Sequence, residues 1–269
     1  PPWRPTMFDE EGLGDVQTPY VLLIDADIAF SPGVLTALLE RLESENLAAA
    51  SLMAELRQET AWEKLLSPAY VFFFRLLYPF SLVRSANRAV AAAAGGCVLL
   101  RRDALIAIGG FGRLRDAIID DCSLARLLKD AGYGIWLGLT RDVHSLRAYP
   151  RLQDFRELVS RSAFAQLNFS IWRLSACTLA MIGLFIGPVF LATQVPSPAG
   201  WLGVAGLVAM LASYVPILRY YGLTPLRCIS LPLVAAGYLE MTWHSAIRYW
   251  NGTRTVWKGR SYSSQEGPN

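Results

Sequence analysis

Two pairs of carboxylates have the spacing to do chemistry. Asp25-Ala26-Asp27 follows directly on the apolar run Tyr20-Val-Leu-Leu-Ile24, so both acids sit where a buried strand meets a loop. Ligands in open α/β sheets bind beyond the carboxyl ends of strands. Carboxylates placed there suit a hard cation, Mg²⁺ or Mn²⁺, held against a diphosphate. Such an ion offsets the charge that develops on a departing diphosphate. The plain alternative is a turn with solvated acids, since an isolated Asp-x-Asp is common. Asp120-Asp121 follows Ile118-Ile119 and opens a helix with Leu124, Leu127 and Leu128 on one face. A helix N-terminus stabilises anions, and like charges side by side push one of them back toward a useful base. That base can take the proton of an attacking hydroxyl. The alternative is an ordinary acidic N-cap and its neighbour.

The elements that must position these acids alternate. Tyr20–Ile24 reads as a central strand covered on both faces. Ser31 is expected to cap the next helix, with Pro32 at its first position. That helix, Val34–Leu47, carries Leu35, Leu38, Leu39 and Leu42 at helical spacing. Ala48–Leu56 follows as a strand. Ala61–Val83 holds Tyr70-Val-Phe-Phe-Phe74 and Leu76-Leu-Tyr-Pro-Phe80, which fits either a core helix or an interfacial one with aromatics at headgroup level. Ala91–Leu100 reads as a glycine turn feeding a strand, Arg101-Arg-Asp103 opens a short helix closed at Gly109, and Gly134–Leu139 is a short strand. Gln153–Phe169 is a mixed helix.

Of the 269 residues, 53% are hydrophobic and 17% charged, against about 25% charged in an ordinary soluble domain. The excess is local: Leu174 to Leu218 contains no Asp, Glu, Lys, Arg or His. Leu174–Val195 and Trp201–Leu218 are long enough to span a bilayer, separated by Pro196-Ser-Pro-Ala-Gly200. The run from Cys228 lasts only to Leu239 before Glu240 and His244, short for a third span. Polar groups there imply function or pairing. Three crossings would put the basic tail outside if the acidic motifs lie inside, against the positive-inside rule. The organisation expected is a globular domain over 1–169, a membrane region over 170–250 and a basic cytoplasmic-type tail over 251–269. The four cysteines, Cys97, Cys122, Cys177 and Cys228, lack ligand spacing and read as core or lipid-facing thiols. His144 reads as a loop or core histidine. The net charge of +3 says little about nucleic acid, and with no basic tract interleaved with aromatics, nucleic-acid binding is not expected.

Together the motifs carry more than either acid pair. Their order resembles the family 2 glycosyltransferases of the GT-A fold, over roughly Thr18 to Arg161. More narrowly the chain resembles the hopene-associated glycosyltransferases. The stretches that carry the resemblance are Leu22-Leu-Ile-Asp-Ala-Asp-Ile28, Ala69-Tyr-Val-Phe-Phe-Phe74 with Leu77-Tyr-Pro-Phe80, and Ala93-Ala-Gly-Gly-Cys97. Ile119-Asp-Asp-Cys122, Ser145-Leu-Arg147, Arg161–Leu167 and Trp257-Lys-Gly-Arg260-x-Tyr262 add to them.

The resemblance implies an α/β, Rossmann-like GT-A domain followed by C-terminal transmembrane helices. It also implies that the domain's first donor-binding strand lies before Pro1, so the fold is expected to be N-terminally incomplete here. Asp25 and Asp27 match the metal and donor-diphosphate motif, Asp121 the catalytic base, and Asp120 a position often held by Glu. Gly95, Gly96 and Cys97 match the turn that lines the acceptor pocket. Arg161 matches the arginine of the (Gln/Arg)-x-x-Arg-Trp motif. Arg161 and Arg260 read either as membrane-flanking cations or as diphosphate-facing groups, and bidentate guanidinium chemistry favours the second. Trp257 is either an interface anchor or part of a donor-side gate. Leu158 and Ser162 depart from the (Gln/Arg)-x-x-Arg-Trp motif of processive synthases, so transfer of a single sugar is expected.

The function implied is a metal-dependent, inverting transfer from a nucleotide-sugar, a UDP-sugar by preference, to a lipid hydroxyl in a bacterial inner membrane, with a cytoplasmic catalytic domain. Two rivals stand beside it. A haloacid-dehalogenase-like phosphatase also places Asp-x-Asp after a strand, but needs Thr or Val where Ala29 stands. A membrane scaffold with the same fold and no catalysis is the other.

Overall fold

The computed structural model of the protein describes residues 17–114, 120–252, 256–257 and 260–261. Two compact units emerge: Pro1–Arg57 with Phe74–Ala148, and Gln58–Phe73 with Tyr149–Asn269. The helix read with the globular domain, beginning near Gln153, thus belongs to the second unit, as does most of the aromatic helix.

The first unit begins with β1 (Tyr20–Ile24), β2 (Ile28–Phe30), α1 (Val34–Ser44) and β3 (Ala49–Glu55). It resumes in the last turn of α2 (Ala61–Leu77) and in α3 (Phe80–Arg84), β4 (Cys97–Arg101), α4 (Arg102–Ala107), α5 (Asp120–Asp130) and β5 (Ile135–Ser145). The sheet order is β1-β4-β3-β5-β2. β3 pairs parallel with β5 and antiparallel with β4. Strand alternation splits the sheet's apolar residues between two cores. Cys97, Leu99, Ala50 and Leu52 pack with Val34, Leu38 and Leu42 of α1. Val98, Leu100 and Leu137 pack with Leu105 of α4 and with Leu124 and Leu128 of α5.

Three local expectations change. Ser31 does not cap α1: its N–H donates to the Asp142 carbonyl at 2.7 Å, which commits it to the neighbouring strand. The chain then turns through Gly33 at φ +89°, a left-handed conformation that favours glycine, and the helix starts at Val34. Among the described residues β1 pairs only with β4, and Ile24 is exposed, so its faces are only partly covered. The strand expected over Gly134–Leu139 continues to Ser145, because β2, too short to read from its sequence, pairs with its far end. Ile118 and Ile119 lie outside the described residues.

The second unit holds most of α2 and then α6 (Leu152–Gln166), α7 (Ile171–Met181), α8 (Gly187–Ala192), α9 (Pro198–Tyr220) and α10 (Leu231–Trp250). A two-stranded ribbon follows, β6 (Val256–Trp257) with β7 (Arg260–Ser261). One π-turn, Ile182–Ile186, joins α7 to α8. Of the aromatics of α2, Phe72 is buried and Phe73 half-buried, and both make ring contacts with later helices of the unit. Phe72 lies edge-on to Tyr214 at 5.1 Å and Phe73 meets Tyr238 at 4.9 Å and Phe185 at 5.5 Å. α10 packs along α6 through a polar seam. Arg156 pairs with Glu240 at 2.5 Å, the Ser160 hydroxyl donates to the Met241 carbonyl at 3.2 Å, and His244 Nδ1 lies 3.2 Å from that hydroxyl. Glu240 and His244 are therefore paired.

Candidate active site

The turn Ala94-Gly-Gly-Cys97 is the meeting point of the acidic motifs. The Cys97 N–H donates to the Ala94 carbonyl at 3.3 Å, closing the turn at the entrance to β4. The Gly95 N–H donates to Asp121 Oδ2 at 2.8 Å. The Gly96 carbonyl accepts the Asp25 N–H at 3.4 Å. Residues 25, 95–96 and 121 thus come together at one end of the sheet through backbone hydrogen bonds.

Glycine is favoured by close approach. A Cβ at Gly95 would stand 3.3 Å from Asp121 Oδ2, pressing on the carboxylate. A Cβ at Gly96 would meet Ile28 Cδ1 at 3.1 Å, crowding the segment that follows Asp27.

The Asp25–Asp27 turn is held on both sides. The Ile28 N–H donates to the Asp25 carbonyl at 3.1 Å, and the Leu146 N–H to the Asp27 carbonyl at 2.8 Å. These bonds hold the backbone of both acids at the end of β1. No cluster of three or more His, Cys, Asp or Glu side chains occurs among the described residues. A two-carboxylate donor set matches a hard divalent cation that takes its other ligands from phosphate oxygens and water. Asp25 and Asp27 therefore fit Mg²⁺ or Mn²⁺ shared with a bound diphosphate.

Asp120 and Asp121 are the first two residues of α5. Asp121 Oδ1 accepts the Cys122 N–H at 2.8 Å, so each of its oxygens meets a backbone donor. The far end of α5 is tied to the segment leading into the glycine turn. Buried Lys129 donates to the carbonyls of Leu82, Asn87 and Val90 at 3.2, 2.7 and 2.8 Å. Arg126 donates to the Ala89 carbonyl at 2.8 Å. Burial, and next Arg126, hold the Lys129 pKa below its ordinary value. α5 is thus tied by hydrogen bonds to residues 82–90, which lead into the glycine turn.

Cys97 offers the site only its backbone. Its side chain is buried against α1, and burial pushes the thiol pKa up to about 11, so it is neutral at physiological pH. Tyr78 is a residue at the site that the acid motifs do not point to. Burial raises its pKa, and the neighbouring Cys122 and Asp121 raise it further. Its phenol is therefore a neutral hydrogen-bonding group beside the acid pair. Its only signal in sequence is its place in the stretch Leu77-Tyr-Pro-Phe80.

Arg161, Trp257 and Arg260 lie in the second unit. Arg161 is on α6, partly exposed, and Trp257 and Arg260 face each other in the register of the β6–β7 ribbon.

Comparison with known proteins follows the same line. The family model described as glycosyltransferase like family 2 matches residues 7–161. No curated protein matches. Among solved structures, the chain is similar to the mannosyltransferase PcManGT from Pyrobaculum calidifontis in complex with GDP-Man and Mn2+. That likeness has 16% identity and a TM-score of 0.45, and covers 88% of this chain and 64% of that one. The chain thus spans just under two thirds of that relative's length. The family match runs over more than half of the chain, through the glycine turn and both acidic motifs, and on that ground the protein belongs to the family 2-like glycosyltransferases.

Proposed function

We propose that the protein is a membrane-bound, inverting glycosyltransferase. In this reading it moves one sugar from a nucleotide-sugar, a UDP-sugar by preference, to the hydroxyl of a membrane lipid, and a hopanoid-type lipid is the favoured acceptor. The family supports transfer from a nucleotide-sugar with a GT-A-like fold, and sets aside the phosphatase. The observation that carries the proposal is the bond from the Gly95 N–H to Asp121 Oδ2, on the same turn that holds the Asp25 backbone.

Asp121 is the base: it accepts the acceptor hydroxyl's proton as that oxygen forms a bond to the anomeric carbon. The bond from that carbon to the diphosphate oxygen breaks on the opposite face, and its electron pair leaves with the nucleoside diphosphate. Configuration inverts because attack and departure are in line. Gly95 and Gly96 form the turn against which the acceptor lies, with no side chain to block it. Asp27, with Asp25, would hold the divalent cation, which when bound offsets negative charge on the leaving diphosphate. The diphosphate roles of Arg161 and Arg260 rest on sequence resemblance and guanidinium chemistry.

The membrane part rests on exposed apolar surface. Two helical stretches, Ile171–Ala192 and Pro198–Tyr220, are long and apolar enough to cross a bilayer, and only 17% and 28% of their most apolar windows is buried. Trp172, Leu179, Phe190 and Leu202 are among the residues left open. Apolar surface on that scale needs a partner, and lipid fits two helices with no charge between Leu174 and Leu218. In this reading α10 does not cross the membrane, which removes the charge conflict. The Trp243 Nε1–H donates to Thr178 Oγ1 at 3.0 Å, Ala246 packs with Leu174, and Phe169 stacks on Tyr249 at 4.6 Å. α10 therefore runs antiparallel to α7 and ends where α7 begins. The crossings sum to two, and the basic tail returns to the side from which α7 enters. By the positive-inside rule that side is cytoplasmic, and in this reading the membrane is a bacterial inner membrane.

The test uses the full-length protein in membranes with Mn²⁺, a panel of radiolabelled nucleotide-sugars and total bacterial lipid. Wild type moves label into the lipid phase, and the labelled lipid identifies the acceptor. Asp121→Asn, which keeps the shape and removes the base, lowers transfer at least about a hundredfold. Full transfer by that variant removes Asp121 from the mechanism. No transfer from any donor by folded wild type puts the scaffold reading first.

A further inference from the structure

One residue beneath the glycine turn ties it to the centre of the sheet. Ser51 lies on β3, the strand hydrogen-bonded to both β4 and β5, and its side chain is 1% exposed. Strand alternation puts it on the face covered by α4 and α5, the face of Ala49. Its hydroxyl makes two bonds to one residue of the turn. It accepts the Ala94 N–H at 2.8 Å and donates to the Ala94 carbonyl at 3.1 Å. The next two residues carry the chemistry: the Gly95 N–H reaches Asp121 Oδ2, and the Gly96 carbonyl receives the Asp25 N–H.

We infer that Ser51 is the positioning residue of the transferase site: by clamping Ala94 on both backbone groups it sets the turn that aims Asp121 and seats the Asp25–Asp27 motif. This rests on the function proposed above. A turn of two glycines has few preferred conformations of its own, because glycine is free in both halves of backbone space. A fixed turn at that point needs an external hold, and a buried hydroxyl with donor and acceptor both engaged supplies one. Nothing in the sequence flags this serine, which sits in an alanine-rich strand, Ala49-Ala-Ser-Leu-Met-Ala-Glu55.

Two nearly isosteric variants separate the hydroxyl from packing. Ser51→Thr and Ser51→Val both add bulk at the same buried point, but only Thr keeps the hydroxyl. In the transfer assay, Ser51→Val is expected to lose about tenfold or more in kcat relative to Ser51→Thr, as small displacements of reacting groups do. The KM for the nucleotide-sugar moves less. Weakening the Gly95 N–H bond removes a donor that favours ionised Asp121, so the acid limb of the kcat profile moves to higher pH in Ser51→Val. A residue needed only for packing would not move that limb. Hydrogen exchange of the amides at residues 93–97, in folded protein, is faster in Ser51→Val than in Ser51→Thr. Equal kcat and equal acid limbs in the two variants overturn the inference. If wild type transfers no sugar, the transferase reading falls by itself, and hydrogen exchange decides the clamp: equal exchange in the two variants rejects it, and faster exchange in Ser51→Val upholds it.

Discussion

Glu63 shows how a single residue's surroundings decide its chemistry. It is fully buried, yet its carboxylate accepts N–H bonds from Glu59 at 3.0 Å, Thr60 at 2.8 Å and Tyr149 at 2.8 Å. The Thr60 hydroxyl returns the favour by accepting the Glu63 N–H at 3.2 Å, which makes a capping box at the start of α2. Burial raises the pKa of Glu63, but the bonds from Thr60, Tyr149 and Glu59 outweigh it and hold the carboxyl below its ordinary value. A depressed carboxyl stabilises the fold above its unfolded pKa and loses that contribution as pH falls through the folded value. Glu63→Gln replaces an acceptor oxygen with a donor that faces N–H groups, and is expected to cost about 1–3 kcal/mol at neutral pH. Its melting temperature falls below that of wild type at pH 7, and the gap closes as pH falls through the lowered pKa of folded Glu63. A gap independent of pH would show that packing, rather than charge, is what Glu63 supplies. The capping-box spacing Thr60-x-x-Glu63 is visible in the sequence, but the third bond is not, because Tyr149 lies 86 residues away. The same holds at the candidate site. The acid residues are legible by type and spacing, whereas Ser51 carries no local signal and Tyr78 only its place in Leu77-Tyr-Pro-Phe80, and both matter through what folds against them.

At the scale of elements, periodicity located most of the structure. The helix beginning at Val34 and the strand at Tyr20 lie where the apolar pattern puts them, and the strand at Ala49 where alternation with helices does; the helix expected over Ala61–Val83 ends at Leu77, before Pro79, and a short helix follows from Phe80. The exceptions are short or committed elsewhere: β2 is three residues long, and Ser31 is drawn to Asp142. The α8–α9 hairpin has a requirement its composition does not reveal. Gly200 and Gly203 lie against the backbone of the preceding helix and turn: a Cβ would stand 2.4 Å from Val195 N at Gly200 and 2.4 Å from Ala192 N at Gly203. Small residues let helices approach this closely in membranes. Gly203→Ala forces the helices apart and is expected to lower the melting temperature in detergent, at a cost of about 1–3 kcal/mol. Gly183→Ala, with nothing within 4 Å of its added carbon, is the control and leaves the melt unchanged or slightly raised. Equal effects at the two positions would mean that the close crossing is not needed for stability.

For the whole molecule, the decisive question is where the chain returns after its apolar stretch. With α10 ending beside the start of α7, a cysteine placed in the tail by Ser264→Cys is expected to react with a membrane-impermeant maleimide only in inverted vesicles, above the background of the native thiols. Labelling only in right-side-out vesicles would make α10 a third crossing. What the sequence determined by itself is local: acids at a strand end and a helix start, glycines before a strand, apolar runs of spanning length. Each of these is set by backbone preference and hydropathy within a few residues. Tertiary structure alone decided that residues 25, 51, 94–96 and 121 share one hydrogen-bonded cluster. It also decided that Glu240 and His244 pair with α6, and that α10 turns back along α7. Those outcomes depend on which distant backbone donors and acceptors find one another once the apolar faces are buried, and no short stretch of sequence encodes that pairing.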